Sequence, residues 1–104
     1  MLSPQLSGER FKRLYKTLNL NQGSTTLYFQ NTRPTIQKWC ELGPNYTMPQ
    51  RQMLISDGVN PLYCDGYGEM TLPGVTIDQA IDNVQKRISI NLDLLQSEVT
   101  NETV

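Results

Sequence analysis

A chain of 104 residues makes one small domain, or one domain with an appendage, and buries a modest core that a second copy would reinforce. Its hydrophobic content of 38 % is low for a compact enzyme yet too high for disorder, and two cysteines with no histidine exclude a disulfide scaffold, a complete Cys/His zinc site and the commonest general base. The net charge of −1 hides a division: residues 1–58 carry seven Lys/Arg against three Asp/Glu, a net +4, and residues 59–104 carry two against seven, a net −5, which suits a phosphate-facing front and a back turned away.

Ser7 is the expected N-cap of a first helix, with Glu9 near its positive end. Phe11, Leu14, Tyr15 and Leu18 follow at i, i+3, i+4 and i+7, one apolar face. Arg10, Lys12, Arg13 and Lys16 occupy the opposite face, and the helix should end near Asn19–Asn21. A second short helix is expected from Asn21 or Gln22 to Phe29, weak in propensity through Ser24, Thr25 and Thr26 and dependent on packing.

Gln30-Asn31 is a turn. Thr32 is the expected cap of a third helix, with Pro34 in its first turn, where a missing N–H costs nothing. Ile36 and Trp39 face the core, Leu42 continues that side, and Gly43-Pro44 ends the helix. Cys40, beside Trp39, reads as a buried free thiol. Thr47 and Gln50 form a capping box with Pro49 in the first turn of a fourth helix. Met53, Leu54 and Ile55 supply its apolar side, and Asp57-Gly58 closes it.

From Gly58 to Gly74 the composition turns to Gly, Pro and Tyr. The segment is either a short hairpin pairing Leu62–Cys64 with Glu69–Leu72 about a glycine turn, or a structured connector. Thr76 and Gln79 then form another capping box. Ile77, Ile81, Val84, Ile88, Leu92, Leu95 and Val99 follow at spacings of four, three, four, four, three and four. They make a single stripe on a helix of about six turns. The stripe serves either to pack this helix on its own N-terminal domain or, as favoured here, to pair two copies. The expected fold is therefore mainly α: a bundle of four or five short helices over residues 1–58, then a connector and a long C-terminal dimerisation helix over residues 59–104.

The unit from Leu20 to Trp39 carries the functional signal. A helix anchored by Ile36 and Trp39 presents Arg33, Gln37 and Lys38 outward, the groups that base readout and phosphate contact require. The stretch LNLNQGSTTLYFQNTRPTIQKW resembles the phage-repressor/Cro-type (XRE-like) helix-turn-helix. Leu18, Leu20, Asn21 and Gln22 match the approach to its second helix, and Thr32, Thr35, Ile36 and Trp39 match its third. ERFKRLYKTL resembles its first helix, so the resemblance spans about residues 7–57. The chain departs from the pattern at Thr25 and Thr26, where apolar and small residues are usual, at Gln30, where Gly is usual, and at Cys40, where Glu is usual; Gly43 comes one residue later than typical.

The resemblance implies a DNA-binding domain. Gln22 would touch a phosphate or bridge to a base-reading side chain, and Thr32 would cap the third helix and bond a phosphate. Arg33, Gln37 and Lys38 would face the major groove, Arg33 toward guanine and Pro34 toward a thymine methyl. Asn21, Asn31 and Thr35 would contact the backbone, and helix 1 would add long-range attraction only. The expected function is a sequence-specific transcriptional regulator, a repressor of phage or mobile-element origin. It would bind a palindromic operator in double-stranded DNA as a homodimer through Ile77, Ile81, Val84, Ile88, Leu92 and Leu95. Its activity would be set by a regulatory protein partner or by its own abundance.

The alternative is a protein-binding module of antitoxin-like or anti-regulator kind, acting through the C-terminal segment. An enzyme is not expected: no nucleophile–base pair is evident, Cys64 has nothing basic near it in sequence, and DGYG lacks the Lys-Ser/Thr of a phosphate loop. No cofactor or metal is expected. No apolar run approaches a membrane span and no n-region/h-region pattern opens the chain, so a soluble, cytosolic protein is expected.

Overall fold

The first helix, α1, runs from Pro4 to Thr17, with Ser3 as its N-cap accepting from the Leu6 N–H at 3.2 Å and Pro4 in the first turn. The computed structural model of the chain describes residues 2–102, and their side chains as far as residue 97. Ser7, the expected cap, is buried one turn inside α1. Ser3 captures the cap because Pro4 behind it is pre-set for a first turn. Asn19 adopts a left-handed φ of 62° after the helix, and the Leu20 N–H returns to the Tyr15 carbonyl at 2.8 Å, closing the end as a Schellman turn does.

Helix α2 spans Gln22–Phe29, held at its start by reciprocal bonds between Asn21 and Ser24. It ends on Gln30, a non-glycine residue in the left-handed region at φ 56°. Helix α3 spans Arg33–Leu42 and α4 spans Met48–Ser56. The expected Thr47–Gln50 capping box is present at 2.9 and 3.3 Å, and the Gln50 amide also donates to the Phe29 carbonyl at 3.1 Å. Thr32 holds the N-cap position of α3, but its hydroxyl pairs with that of Thr35 at 3.1 Å rather than with a backbone N–H.

The core is aromatic. Phe11, Phe29, Trp39 and Tyr46 meet at centroid distances of 5.4 to 6.0 Å, mostly edge to face, the arrangement that ring quadrupoles favour. Ile36 and Leu54 are fully buried beside them. Leu42 and Ile55, expected on the buried sides of their helices, are about half exposed. Helices α1 and α3 cross closely because Gly8 lies against the backbone of Cys40; a Cβ there would overlap the Cys40 carbonyl.

The connector forms no hairpin. Leu62–Cys64 lies in and just before a single 3-10 turn over Tyr63–Asp65, and the only pairing is a bridge between Val59 and Thr71 with flanking bonds at Asn60 and Leu72. The Asn60 side chain replaces strand pairing, donating to the Tyr67 and Glu69 carbonyls at 2.8 and 2.9 Å. The last helix, α5, spans Ile77–Glu102 and begins on the expected Thr76–Gln79 box at 3.0 and 3.1 Å.

The first half of α5 packs on the chain's own body. Ala80 and Val84 are fully buried in the common core, and Ile81 and Ile88 pack partly against it. Asp57, at the end of α4, accepts from the Tyr28 hydroxyl at 2.8 Å and from two nitrogens of Arg87 at 2.6 and 2.9 Å. The Asn91 amide donates to the Leu27 carbonyl at 2.9 Å, near the end of α2. The described residues thus form a compact, mainly α-helical domain of five α-helices without a β-sheet. None of these helices is long and apolar enough to cross a membrane.

Candidate nucleic-acid interface

Helix α3 is held by one side and open on the other. Ile36, Trp39 and Cys40 are buried, and Arg33, Pro34, Gln37 and Lys38 are exposed. The 3.6-residue period explains the division, since 36, 39 and 40 share one face while 33, 37 and 34, 38 stack in two rows on the other. Thr35 lies at the margin, half buried, with its hydroxyl engaged by Thr32.

The start of α2 lies beside the start of α3. Gly23 lies beside the Arg33 guanidinium, whose Nη2 would stand 3.8 Å from a Cβ at that position, an ordinary contact. Gln22 is half buried, with its side chain against the Tyr15 hydroxyl, so it links α2 to α1. Asn21 is exposed, but its side-chain oxygen is engaged by the Ser24 N–H at 2.9 Å. The fold therefore brings Gln22 and Arg33 to one corner, continues that corner along α3 through Gln37, and runs a parallel row through Pro34 and Lys38.

The charges are lopsided. Among the described residues the one ion pair is Arg87 with Asp57. Lys12, Arg13, Lys16, Arg33, Lys38 and Arg51 enter none. Arg10, which the sequence placed with the basic face of α1, is engaged elsewhere: it donates to the Tyr63 carbonyl at 2.9 Å, and its guanidinium lies 4.6 Å from the Tyr63 ring centroid. It ties α1 to the connector, a role that no local pattern signals.

Both thiols are buried. Burial pushes the Cys64 thiol up from 9.0 to about 12, with its Sγ 3.8 Å from the Tyr46 hydroxyl. Burial likewise raises the Cys40 thiol, against the lowering effects of the Tyr15 hydroxyl, Lys12 and Lys16. Neither is a ready thiolate at neutral pH. No group of three or more Cys, Asp or Glu side chains placed to hold a metal ion occurs among the described residues.

The stripe expected to pair two copies divides in two. Val84 is fully buried in the chain's own core, Ile81 and Ile88 pack partly against that core, and Ile77 borders a concavity with Tyr63 and Met70. Leu92 and Leu95 are exposed, and Ile90 and Leu94 join them. The intramolecular use therefore takes Ile81, Val84 and Ile88, because a heptad-like stripe has the same spacing whether its partner is its own domain or another chain. The Val99 side chain lies outside the described residues. A groove of about 420 Å³ separates the exposed half of α5 from the end of α2, between Leu27, Gln30, Leu94 and Leu95.

No family model matches the chain, and neither a curated protein nor a solved structure matches it.

Proposed function

We propose that this chain is a sequence-specific DNA-binding regulator in which α2, the turn at Gln30–Thr32 and α3 act as a helix-turn-helix. One observation carries the reading: Ile36 and Trp39 anchor α3 while Arg33, Pro34, Gln37 and Lys38 stand exposed on its other side, their side chains forming no hydrogen bond or ion pair among the described residues. In the major groove Arg33 offers a bidentate donor for guanine, Gln37 and Lys38 offer donors for base edges and phosphates, and Pro34 offers an apolar contact for a thymine methyl. The first turn of α2, at Gln22, meets the adjacent phosphates, as a first helix across the backbone requires. A repressor of phage or mobile-element kind is what the resemblance of residues 7–57 adds.

The reading includes a homodimer on a palindromic operator, with the two α3 helices about 34 Å apart. The exposed Ile90, Leu92, Leu94 and Leu95 are the surface for that contact. They also favour the second reading, a module that binds another protein through α5. Sedimentation at micromolar protein separates the two: a dimer that Leu92→Glu/Leu95→Glu converts to monomer supports self-pairing, and a monomeric wild type supports a foreign partner.

The direct test is selection from a random duplex pool, followed by gel shifts at two salt concentrations. We expect recovery of a defined site, binding that weakens steeply with salt, and loss of site preference in Arg33→Ala/Lys38→Ala. Failure of the wild type to enrich any duplex would overturn the proposal.

A further inference from the structure

The fold leaves a second set of cations on α1. Lys12, Arg13 and Lys16 border one shallow concavity with Glu9 and Thr17, and none of the three forms an ion pair among the described residues. Lys12 and Lys16 stand one helical turn apart, about 6 Å along the axis. Their flank of α1 is the one that meets α3: Gly8 lies against the Cys40 backbone, and the Tyr15 hydroxyl lies 4.0 Å from Cys40 Sγ. Tyr15 in turn meets Gln22 at the first turn of α2, and Gly23 beside it meets Arg33. Lys12 and Lys16 thus stand on the flank of α1 that packs on Cys40 of α3, the helix that Arg33 heads.

A duplex strand presents one phosphate about every 3.4 Å of axis, so a row of cations one turn apart beside a readout helix matches a run of phosphates. Arg13 shares the lysines' concavity but stands outside their i, i+4 row. It also borders the concavity of Tyr63, Glu69 and Ile77, on the connector side, beside an acidic residue. Arg10 is held by Tyr63.

We propose that Lys12 and Lys16 contact the phosphodiester backbone of the strand beside α3, continuing the phosphate contact made by the first turn of α2. The proposal rests on the DNA-binding reading above and extends it: α1 becomes part of the bound surface rather than a source of distant attraction. Such contacts fix the register of the protein on the duplex without reading sequence.

The experiment is a fluorescence-anisotropy titration of the full chain against a labelled selected duplex and a scrambled one, over a series of salt concentrations. Lys12→Gln/Lys16→Gln should weaken binding to both duplexes by about tenfold near physiological salt and flatten the log–log salt slope by about 2, with the preference between duplexes unchanged. Arg13→Gln should change the slope by much less. Thermal melting checks that each variant is folded. Wild-type binding with an unchanged slope in the double variant overturns this inference and leaves the α3 reading standing, as does an Arg13→Gln effect as large as that of either lysine. A wild type that binds neither duplex but captures an acidic polypeptide overturns both.

Discussion

Gln30 carries the sharpest local conflict in the chain. The turn between α2 and α3 demands a left-handed residue, and a side chain stands there at φ 56°. A non-glycine residue in that region costs about 1–2 kcal/mol, partly offset because glycine would leave the unfolded chain freer. Gln30→Gly should therefore stabilise the protein by about 0.5–1 kcal/mol, read as a raised urea midpoint with unchanged m. A loss of stability would mean that the Gln30 side chain, which borders the groove beside Leu94, contributes more by contact than the backbone loses by strain. Asn19, also left-handed at φ 62°, is the milder case, because Asn tolerates that region.

At the scale of elements, Asp57 holds three helices together. It lies at the end of α4 and receives Tyr28 from α2 and Arg87 from α5. Removing a buried partner leaves the other group uncompensated, at about 3–5 kcal/mol for a fully buried pair. Arg87 is one-third exposed and regains water, so Asp57→Ala should cost about 2–3 kcal/mol. In an Arg87→Met background the same change should cost less, and a denaturation cycle of the four proteins measures the coupling. Equal costs in both backgrounds would remove the ion pair from the account.

The element scale is also where the sequence was most and least readable. The Thr47–Gln50 and Thr76–Gln79 boxes were legible because a cap joins residues three apart. Ser7 fits the same local pattern as the Ser3 cap, and the local signal for the earlier start is Pro4 just behind Ser3. Asp57 read as a turn residue, since partners 29 and 30 positions away leave no local trace. The α5 stripe was legible as a packing face at Ile81, Val84 and Ile88, but not as to whose surface it met, and its Leu92 and Leu95 stand exposed. At the candidate site, the outward set Arg33, Pro34, Gln37 and Lys38 followed from period alone, whereas the corner formed by Gln22 and Arg33 needed the fold.

At the scale of the whole molecule, the raised acids set the alkaline limit. Burial leads the causes that raise Cys64, Cys40, Tyr15, Tyr28 and Tyr46 above their ordinary values. Below the unfolded thiol value of 9.0 both states keep these protons, and the contribution to stability is fully present. Above it the unfolded chain releases protons that the folded chain still holds, so stability falls as pH rises, for Cys64 across the window from 9.0 to about 12. Melting temperature should be flat with respect to these groups below pH 9 and drop steadily above it. Thiolate absorbance, both thiols being buried, should appear together with the change in Trp39 fluorescence. Ionisation well before unfolding would show that these groups reach water in the native state.

The outward rows of α3 have a consequence for descent. Arg33, Pro34, Gln37 and Lys38 sit apart from the buried face of α3, and substitutions at such surface positions typically stay within about ±0.5 kcal/mol. Selection for folding therefore leaves Arg33, Gln37 and Lys38 nearly neutral, while Pro34 helps start the helix and Gly8, Ile36 and Trp39 are pinned by packing. A lineage carrying this scaffold can exchange its outward residues one at a time and pass through folded intermediates at every step. What it contacts can diverge quickly while its shape stays fixed.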